Sequence, residues 1–388
     1  MHIFNKIELK LRLAFISMVA ITAIGGAVSY LKVQEAGNYV GYKEKVMDIL
    51  LHLKEARLHE KNFIMYDRKT VNFLESAQSQ TTEAHQAEIA TINSLIDSLI
   101  YQNLVEDVVL NTMLSDMKSG IKMYNDSFDE LTKLYQQRGF KDHGLEGSMR
   151  EDVHNLQEAI GPREKIYAYS LRRHEKDFML RKDLKYFETL RKTAEEFKEY
   201  VRMSDEAHMS PAYKKNISRV IDNYIQKFVK IVELEMEIGL SESEGVSGKL
   251  LQSANDLEPI SDAMLIYADT KSADFQQQAS FYFLGSVILM ILAGFFIVIG
   301  LDKSISRPIA LLNDVIKDEI NGKERTNALE GLQSRDEIGE LSTNFKLMMK
   351  KLDQQFDAIN ETNKVLEEAS EIDKKKNGWR KAFLPLWI

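Results

Sequence analysis

The sequence predicts an all-α protein with two membrane-spanning helices, and three observations lead to this fold class. The 388 residues include only 19 glycines and 5 prolines, so long helices with few breaks are expected. Two apolar runs without a charge, residues 13–31 and 281–301, each match the thickness of a bilayer, which a helix of about 20 residues spans. Outside these runs, apolar residues recur at steps of three and four, the period of amphipathic helices.

Basic residues flank each apolar run on one side, and they predict its orientation. Lys6, Lys10 and Arg12 precede the first run, and Lys303 and Arg307 follow the second. Because basic flanks stay in the cytoplasm, residues 1–12 and 302–388 are expected inside the cell and residues 32–280 outside it. A cleavable signal peptide is the alternative for the first run, but the length of that run and the presence of a second one favour an uncleaved anchor.

The composition excludes several classes of protein. With 28% charged residues, 44% hydrophobic residues and a formal net charge of -8, the chain is typical of neither a disordered segment nor a basic nucleic-acid binder. The lack of cysteine excludes disulfides, thiolate nucleophiles and cysteine-based zinc sites. The cytoplasmic part contains no phosphate-binding loop, zinc signature or paired nucleophile and base. We therefore expect no enzyme, no cofactor and no metal site.

One charged string occurs twice in the external segment. Residues 57–65 read RLHEKNFIM, and residues 172–180 read RRHEKDFML. A second set recurs at a constant offset: Tyr124, Phe128 and Gly139 return as Tyr224, Phe228 and Gly239. The sequence therefore predicts one helical unit used twice, with the tyrosines and phenylalanines in its core. Glycine-rich joints follow each copy at 139–147 and 239–248, and polar residues beside them, such as Arg138, are expected to be exposed.

The basic residues of the two strings are the candidate ligand-binding residues: Arg57, His59, Lys61, Arg172, Arg173, His174 and Lys176. Arginine offers a planar fork that matches a carboxylate with two hydrogen bonds, so a small carboxylate is the expected ligand. A structural role is the alternative, because Arg57 and Arg172 each precede a glutamate by three residues and can pair with it along the helix. For these two arginines both interpretations stay open, whereas histidines in such positions are more often packed residues than ligands. A structural role is expected for the acidic and aromatic members of the strings: Glu60, Glu175, Phe63 and Phe178.

The paired strings, the segment GFKDHGLEGSMREDVHNLQE between them and an apolar run on each side resemble the helical bimodular sensor domain of bacterial chemoreceptors and sensor histidine kinases. The likeness covers roughly residues 40–275. It implies a periplasmic sensor of two stacked four-helix bundles that binds a small carboxylate. Some related sensors read a periplasmic binding protein instead, so either partner is expected.

A second resemblance follows the second apolar run, in residues 302–355. Two apolar stripes are separated there by a loop: Ile309, Leu312, Ile316 and Ile320, then Ile338, Leu341, Phe345, Met348, Leu352, Phe356 and Ile359. Two short amphipathic helices cannot bury such stripes alone, so a parallel homodimer is expected. The segment is similar to the HAMP relay domain, with Pro308 at the family's proline and Asp336, Glu337 and Gly339 at its DExG motif. A plain coiled coil is the alternative, and it explains neither the proline nor the break between the stripes.

Six segments are therefore expected: a cytoplasmic N-terminus 1–12, a span 13–31, a periplasmic sensor domain 32–280, a span 281–301, a HAMP domain 302–355, and a coiled-coil extension with a truncated-looking tail 356–388. The expected function is a signal receptor of a bacterial inner membrane that senses a periplasmic small molecule. A histidine kinase or the chemotaxis machinery is the expected cytoplasmic partner, because no output module follows the HAMP segment. A receptor for a periplasmic binding protein and a non-signalling structural membrane protein are the alternatives.

Overall fold

The structure, a computed structural model, describes residues 6–102, 107–206, 209–321 and 336–383. Within these ranges the chain forms eleven α-helices and no strand, which confirms the all-α prediction. The helices are α1 Ile7–Met65, α2 Val71–Ser76, α3 Gln80–Gln102, α4 Val108–Arg138, α5 Gly144–Ala159, α6 Glu164–Arg181, α7 Leu184–Met203, α8 Pro211–Ile238, α9 Gly245–Leu301, α10 Arg307–Ile320 and α11 Glu337–Phe383. A 3₁₀ turn at Asp67–Lys69 precedes α2, and a π-helical segment at Asp302–Ser306 joins α9 to α10.

The chain divides into two compact units. The central unit is Val33–Gln276, and the terminal unit combines Met1–Lys32 with Gln277–Ile388. In the terminal unit, α1 and α9 each carry a stretch long and apolar enough to cross a membrane, as predicted. These stretches meet through small residues, since Gly25 packs against Ser286 and the Ser29 hydroxyl donates to the Ala279 carbonyl at 3.0 Å. Small residues at such contacts let two apolar helices approach closely.

The central unit contains two separate hydrophobic cores. We call the first module 1; its core is filled from α1, α2, α3, α4 and the first half of α9, together with Ile238 at the end of α8. We call the second module 2; its core is filled from α5, α6, α7 and α8. Polar caps fix where several of these helices begin: Asp107 accepts from the first amides of α4, Asp183 caps α7, and Ser210 caps α8 just before Pro211.

The predicted repeat is visible in both cores. In module 1 the Tyr124 hydroxyl donates to Glu60 at 2.8 Å, and in module 2 the Tyr224 hydroxyl donates to Glu175 at 2.6 Å. An edge-to-face aromatic pair accompanies each bond, with ring centroids 5.6 Å apart in both cases: Phe63 with Phe128, and Phe178 with Phe228. The core positions predicted for the tyrosines and phenylalanines are therefore confirmed, and each string contributes a glutamate–tyrosine bond, which is partly buried in module 1 and buried in module 2.

A buried histidine lies in the core of module 1. His85 of α3 is fully buried in module 1, with its ring centroid 3.9 Å from that of Phe128 and the two planes tilted by 31°, and neither ring nitrogen has a hydrogen-bond partner among the residues that the structure describes. Burial lowers the pKa of His85 to about 4, with a smaller contribution from His59, so the ring is neutral at pH 7. At pH 7 this imidazole packs as an aromatic side chain.

The two glycine joints form tight turns. Gly139 and Gly144 both have positive φ values, +75° and +66°, and lie in contact. Gly239 and Gly245 repeat this arrangement with φ values of +118° and +59°. These turns link α4 to α5 and α8 to α9, so the chain enters and leaves module 2 through matching structures.

After the apolar stretch of α9, α10 packs against the first turns of α11. Leu312 and Val315 are buried there, together with parts of Ile316 and Phe345. Most of the predicted second stripe is exposed along α11, and so are Ile309 and Ile320 of the first stripe. Of the predicted loop containing Asn321 and Gly322, the part from residue 322 to 335 lies outside the described residues, and so does the end of the tail after 383.

Candidate functional site

Both charged strings face one cavity of about 1070 Å³ between module 1 and module 2. Arg57 and Lys61 reach it from α1, and Arg172 and Lys176 reach it from α6. These segments lie 115 positions apart in the sequence, and the fold brings them to the same cavity. Cavities of about 300–1000 Å³ hold small molecules in many proteins, so this one has room for a ligand.

The cavity wall is predominantly cationic. Nine lysine or arginine side chains and five glutamates line it, and the remainder is mostly apolar. An excess of cations around a partly enclosed space attracts anions and strengthens each contact that they make. The wall therefore favours an anionic ligand with an apolar or aromatic part.

The structure distinguishes the two arginines whose role was open. Arg172 Nη1 lies 2.5 Å from both carboxylate oxygens of Glu175, so this guanidinium is engaged within its own helix. Within the described ranges, the hydrogen bond of the Arg57 guanidinium is an exposed one of 3.4 Å to Asn255. Arg57 is therefore the more available of the two for a ligand, and Arg172 holds the buried Glu175.

The other predicted binding residues divide into two groups. Lys61 and Lys176 are exposed at the cavity and form no ion pair within the described part of the chain. His59, Arg173 and His174 do not line it. His174 is half-buried, and burial followed by the charge of Arg173 lowers its pKa.

Sequence reasoning missed a buried ion cluster in the cavity wall. Arg138 was expected to be exposed, and that expectation is wrong, since its side chain is only 15% exposed. Its Nε donates to Glu235 at 2.5 Å and its Nη1 donates to Glu146 at 3.0 Å, while Lys182 forms a second ion pair with Glu235. The available signal was the position of Glu235 in α8, on the same stripe as the buried residues Ile231 and Ile238.

The cluster keeps Glu235 ionised. Burial alone would raise the pKa of Glu235, but the adjacent Arg138 and Lys182 outweigh burial and hold the pKa below its ordinary value. The Glu235 side chain is only 3% exposed, so it interacts with these cations at close range and with little screening by water. The cavity thus contains a carboxylate already bound to cations.

The pKa of Glu60 is shifted in the opposite direction from that of Glu235. Burial raises its pKa above the ordinary value, against the hydrogen bond from Tyr124 and the charges of Arg57 and Lys61. A carboxyl group with a raised folded pKa contributes stability below that pKa, and the contribution is lost as pH rises through it. Glu60 therefore disfavours the folded state at pH 7 relative to mild acid.

We expect Glu60→Gln to raise the free energy of unfolding at pH 7 by roughly 1 kcal/mol, because the amide still accepts from Tyr124 and carries no charge. The gain should shrink as pH falls through the raised folded pKa of Glu60 and should be absent below the ordinary value of 4.5, because the wild-type carboxyl group is then protonated as well. Urea unfolding of the full chain in detergent, followed by circular dichroism at each pH, measures it. Glu55→Gln on the exposed side of α1 is the control, and a gain that is the same at every pH would contradict the assignment.

The predicted relay residues lie in the terminal unit. Pro308 occupies the first turn of α10, directly after the π-helical segment at Asp302–Ser306. Asp336 is buried before α11, where it accepts from the amides of Ile338 and Gly339, and Lys10 pairs with it at 2.9 Å. Glu337 accepts from the backbone amide of Ile7 at 2.9 Å. The acid pair thus caps α11 and holds the start of α1.

No protein-family model matches the chain, and neither a curated protein nor a solved structure matches it. The geometry of the cavity is therefore the basis for a functional assignment. Among the residues that the structure describes, no group of three or more histidine, aspartate or glutamate side chains is arranged to hold a metal ion.

Proposed function

We propose that this protein is a transmembrane signal receptor whose central unit lies in the bacterial periplasm and binds a small carboxylate in the cavity between its modules. The observation that carries this proposal is the convergence of the two repeated basic strings on one cationic cavity. A purely structural repeat would place each string in its own module and would not require a shared cavity.

The proposed ligand contacts use the cations of the cavity that interact least with other side chains of the protein. Arg57 is the proposed fork for one carboxylate group, since it has only a weak contact with Asn255. Lys61 and Lys176 approach the cavity from opposite modules and supply point charges for a second anionic group. A dicarboxylate that contacts both modules fits this arrangement.

The proposed relay follows the helices that carry the apolar stretches. A ligand that favours one packing of the two modules changes the position of α9, and α10 with α11 then act as a HAMP domain that adopts a second arrangement. Such coupling requires only about 1–3 kcal/mol between the two states. Pro308 and the Asp336–Glu337–Gly339 segment are the proposed relay residues, and the output is a kinase or the chemotaxis machinery of the cytoplasm.

A homodimer is part of the proposal. Six apolar residues form a stripe on the outer face of α1, and each is more than 40% exposed: Val33, Val40, Met47, Leu51, Leu58 and Met65. The stripe has steps of seven and four residues, and α11 carries a second exposed stripe, so a parallel partner would cover both. The mass of the detergent-solubilised chain decides between one copy and two.

Binding of succinate to the full chain in detergent, measured by isothermal titration, tests the receptor proposal. We expect Arg57→Ala to weaken binding by about 10- to 100-fold, the range for losing a charge-assisted hydrogen bond. Arg173→Ala removes the same charge from an exposed position outside the cavity and should leave binding unchanged.

Two results would contradict the small-carboxylate proposal. If the wild-type chain binds neither succinate nor other short mono- and dicarboxylates, a protein partner is favoured. Equal losses in the Arg57 and Arg173 variants would show that binding follows overall charge and not this cavity. A third test fuses residues 1–355 to a kinase output; the lack of any ligand control would favour a structural membrane protein.

A further inference from the structure

Glu235 is a carboxylate that already occupies a cationic site in the wall of the cavity. Arg138 Nε donates to one of its oxygens at 2.5 Å, and Lys182 contacts the same oxygen. The second arm of Arg138 is held by Glu146 at 3.0 Å and by the Gly139 carbonyl at 2.9 Å. The polar atoms of the site therefore come from the ends of several helices, all of which border the cavity.

These contacts join the two modules. Arg138 is the last residue of α4, whose side chains fill the core of module 1. Glu235 lies in the last turn of α8, and Lys182 follows α6; both helices fill the core of module 2. The Arg138–Glu235 bond is thus a polar link between modules, beside the apolar contact that Ile238 of α8 makes with the core of module 1, and its rupture would remove the polar part of their junction.

The side chain of Glu235 carries the same functional group as a ligand carboxylate. Both present two oxygens to a guanidinium and an ammonium group, and both bind more strongly where water is excluded. A ligand carboxylate that reaches Arg138 must therefore displace Glu235 or bind elsewhere. A direct exchange leaves Arg138 and Lys182 neutralised, and the displaced Glu235 must turn into the open cavity that it lines, because a buried carboxylate without a cation carries the same penalty as an unpaired buried cation.

We propose that Arg138 and Lys182 are an anion-binding site of the cavity, filled by Glu235 in the resting protein, and that a ligand carboxylate binds there by displacing Glu235. This inference rests on the proposed function in that the ligand is an anion within the cavity. It adds a structural difference between the resting and the ligand-bound protein. The Arg138–Glu235 bond between α4 and α8 opens when the ligand takes the place of Glu235. The ligand thereby changes how the two modules are joined.

Glu235→Gln tests the exchange, with succinate as the probe and the full chain in detergent. The amide is a weaker competitor for the two cations, so succinate should bind about tenfold tighter than to the wild-type chain, the change expected for one charge-assisted hydrogen bond. Glu242→Gln is the matched control. It removes the same charge from the same cavity at an exposed position, and it should change the affinity by less than about threefold, since exposed charges are screened.

The possible outcomes separate this inference from the receptor proposal. If wild type binds succinate and Glu235→Gln binds it no more tightly than Glu242→Gln does, the exchange is overturned while the receptor proposal stands. If only Glu235→Gln binds succinate, the exchange is supported and the resting chain is not a succinate receptor. If neither binds, both are overturned. Should Glu235→Gln fail to fold, Glu235→Asp replaces it; its shorter side chain loosens the contact with Arg138, so the exchange requires tighter succinate binding, and unchanged affinity overturns it.

Discussion

Gly239→Ala is expected to lower the free energy of unfolding by about 3 kcal/mol or more, because two separate penalties add at this position. Gly239 has φ +118° and ψ 125°, a backbone conformation that residues with a Cβ rarely adopt. A Cβ built there would also lie 2.1 Å from the Glu244 carbonyl oxygen and 2.9 Å from that of Ser241. Both neighbours are backbone atoms of the same tight turn, so neither can move away without opening the turn.

Thermal unfolding of the full chain in detergent, followed by helical circular dichroism, measures this loss. Gly41→Ala is the matched control, since Gly41 lies within α1 and an added Cβ meets no atom within 4 Å. Alanine is the better helix former by about 0.5–1 kcal/mol, so this variant should be slightly more stable than wild type. A loss of similar size in both variants would show that the turn at Gly239 is not the cause.

Arg138→Ala should cost about 3–5 kcal/mol, the range for removing one partner of a buried ion pair. The substitution leaves Glu235 with Lys182 as its remaining cation and removes the donor to Glu146. Arg150→Ala is the control. Arg150 lines the same cavity, but its pair with the exposed Asp142 is 3.4 Å long, so about 1 kcal/mol or less is expected.

The pH dependence of the Arg138→Ala effect gives a second check. Glu235 has a depressed folded pKa in the wild-type chain, so its contribution to stability is present above the ordinary value of 4.5 and is lost as pH falls through the folded pKa. The difference between wild type and Arg138→Ala should therefore be largest near pH 7 and shrink in acid below 4.5. A difference that does not change with pH would assign the loss to packing and not to the charge of Glu235.

Most of the helical fold could be predicted from the sequence because it depends on local patterns. The three- and four-residue spacing of apolar residues predicts the helices, and the repeated Tyr124/Phe128 and Tyr224/Phe228 pairs predict two related cores. The partly buried position of Glu60 could also be predicted, since it falls on the apolar stripe of α1. These predictions needed no knowledge of how distant helices pack.

The site could be predicted only in part, because its geometry depends on distant contacts. The two basic strings were identified by their repetition, but their convergence on one cavity requires the chain reversals at Gly139 and Gly239. Arg138 and Glu235 were missed because they occupy positions where the two copies differ. A comparison of the two copies identifies the residues that they share, and Arg138 and Glu235 are not among them.

The matching turns at 139–144 and 239–245 are two positions at which module 2 could be exchanged during evolution. Module 2 is nested inside module 1, since α4 leads into it and α9 leads out of it. Recombination at the two turns would exchange all four of its helices and leave α1 and α9 unbroken. The whole of module 2, with its share of the cavity wall, can therefore be replaced in one step.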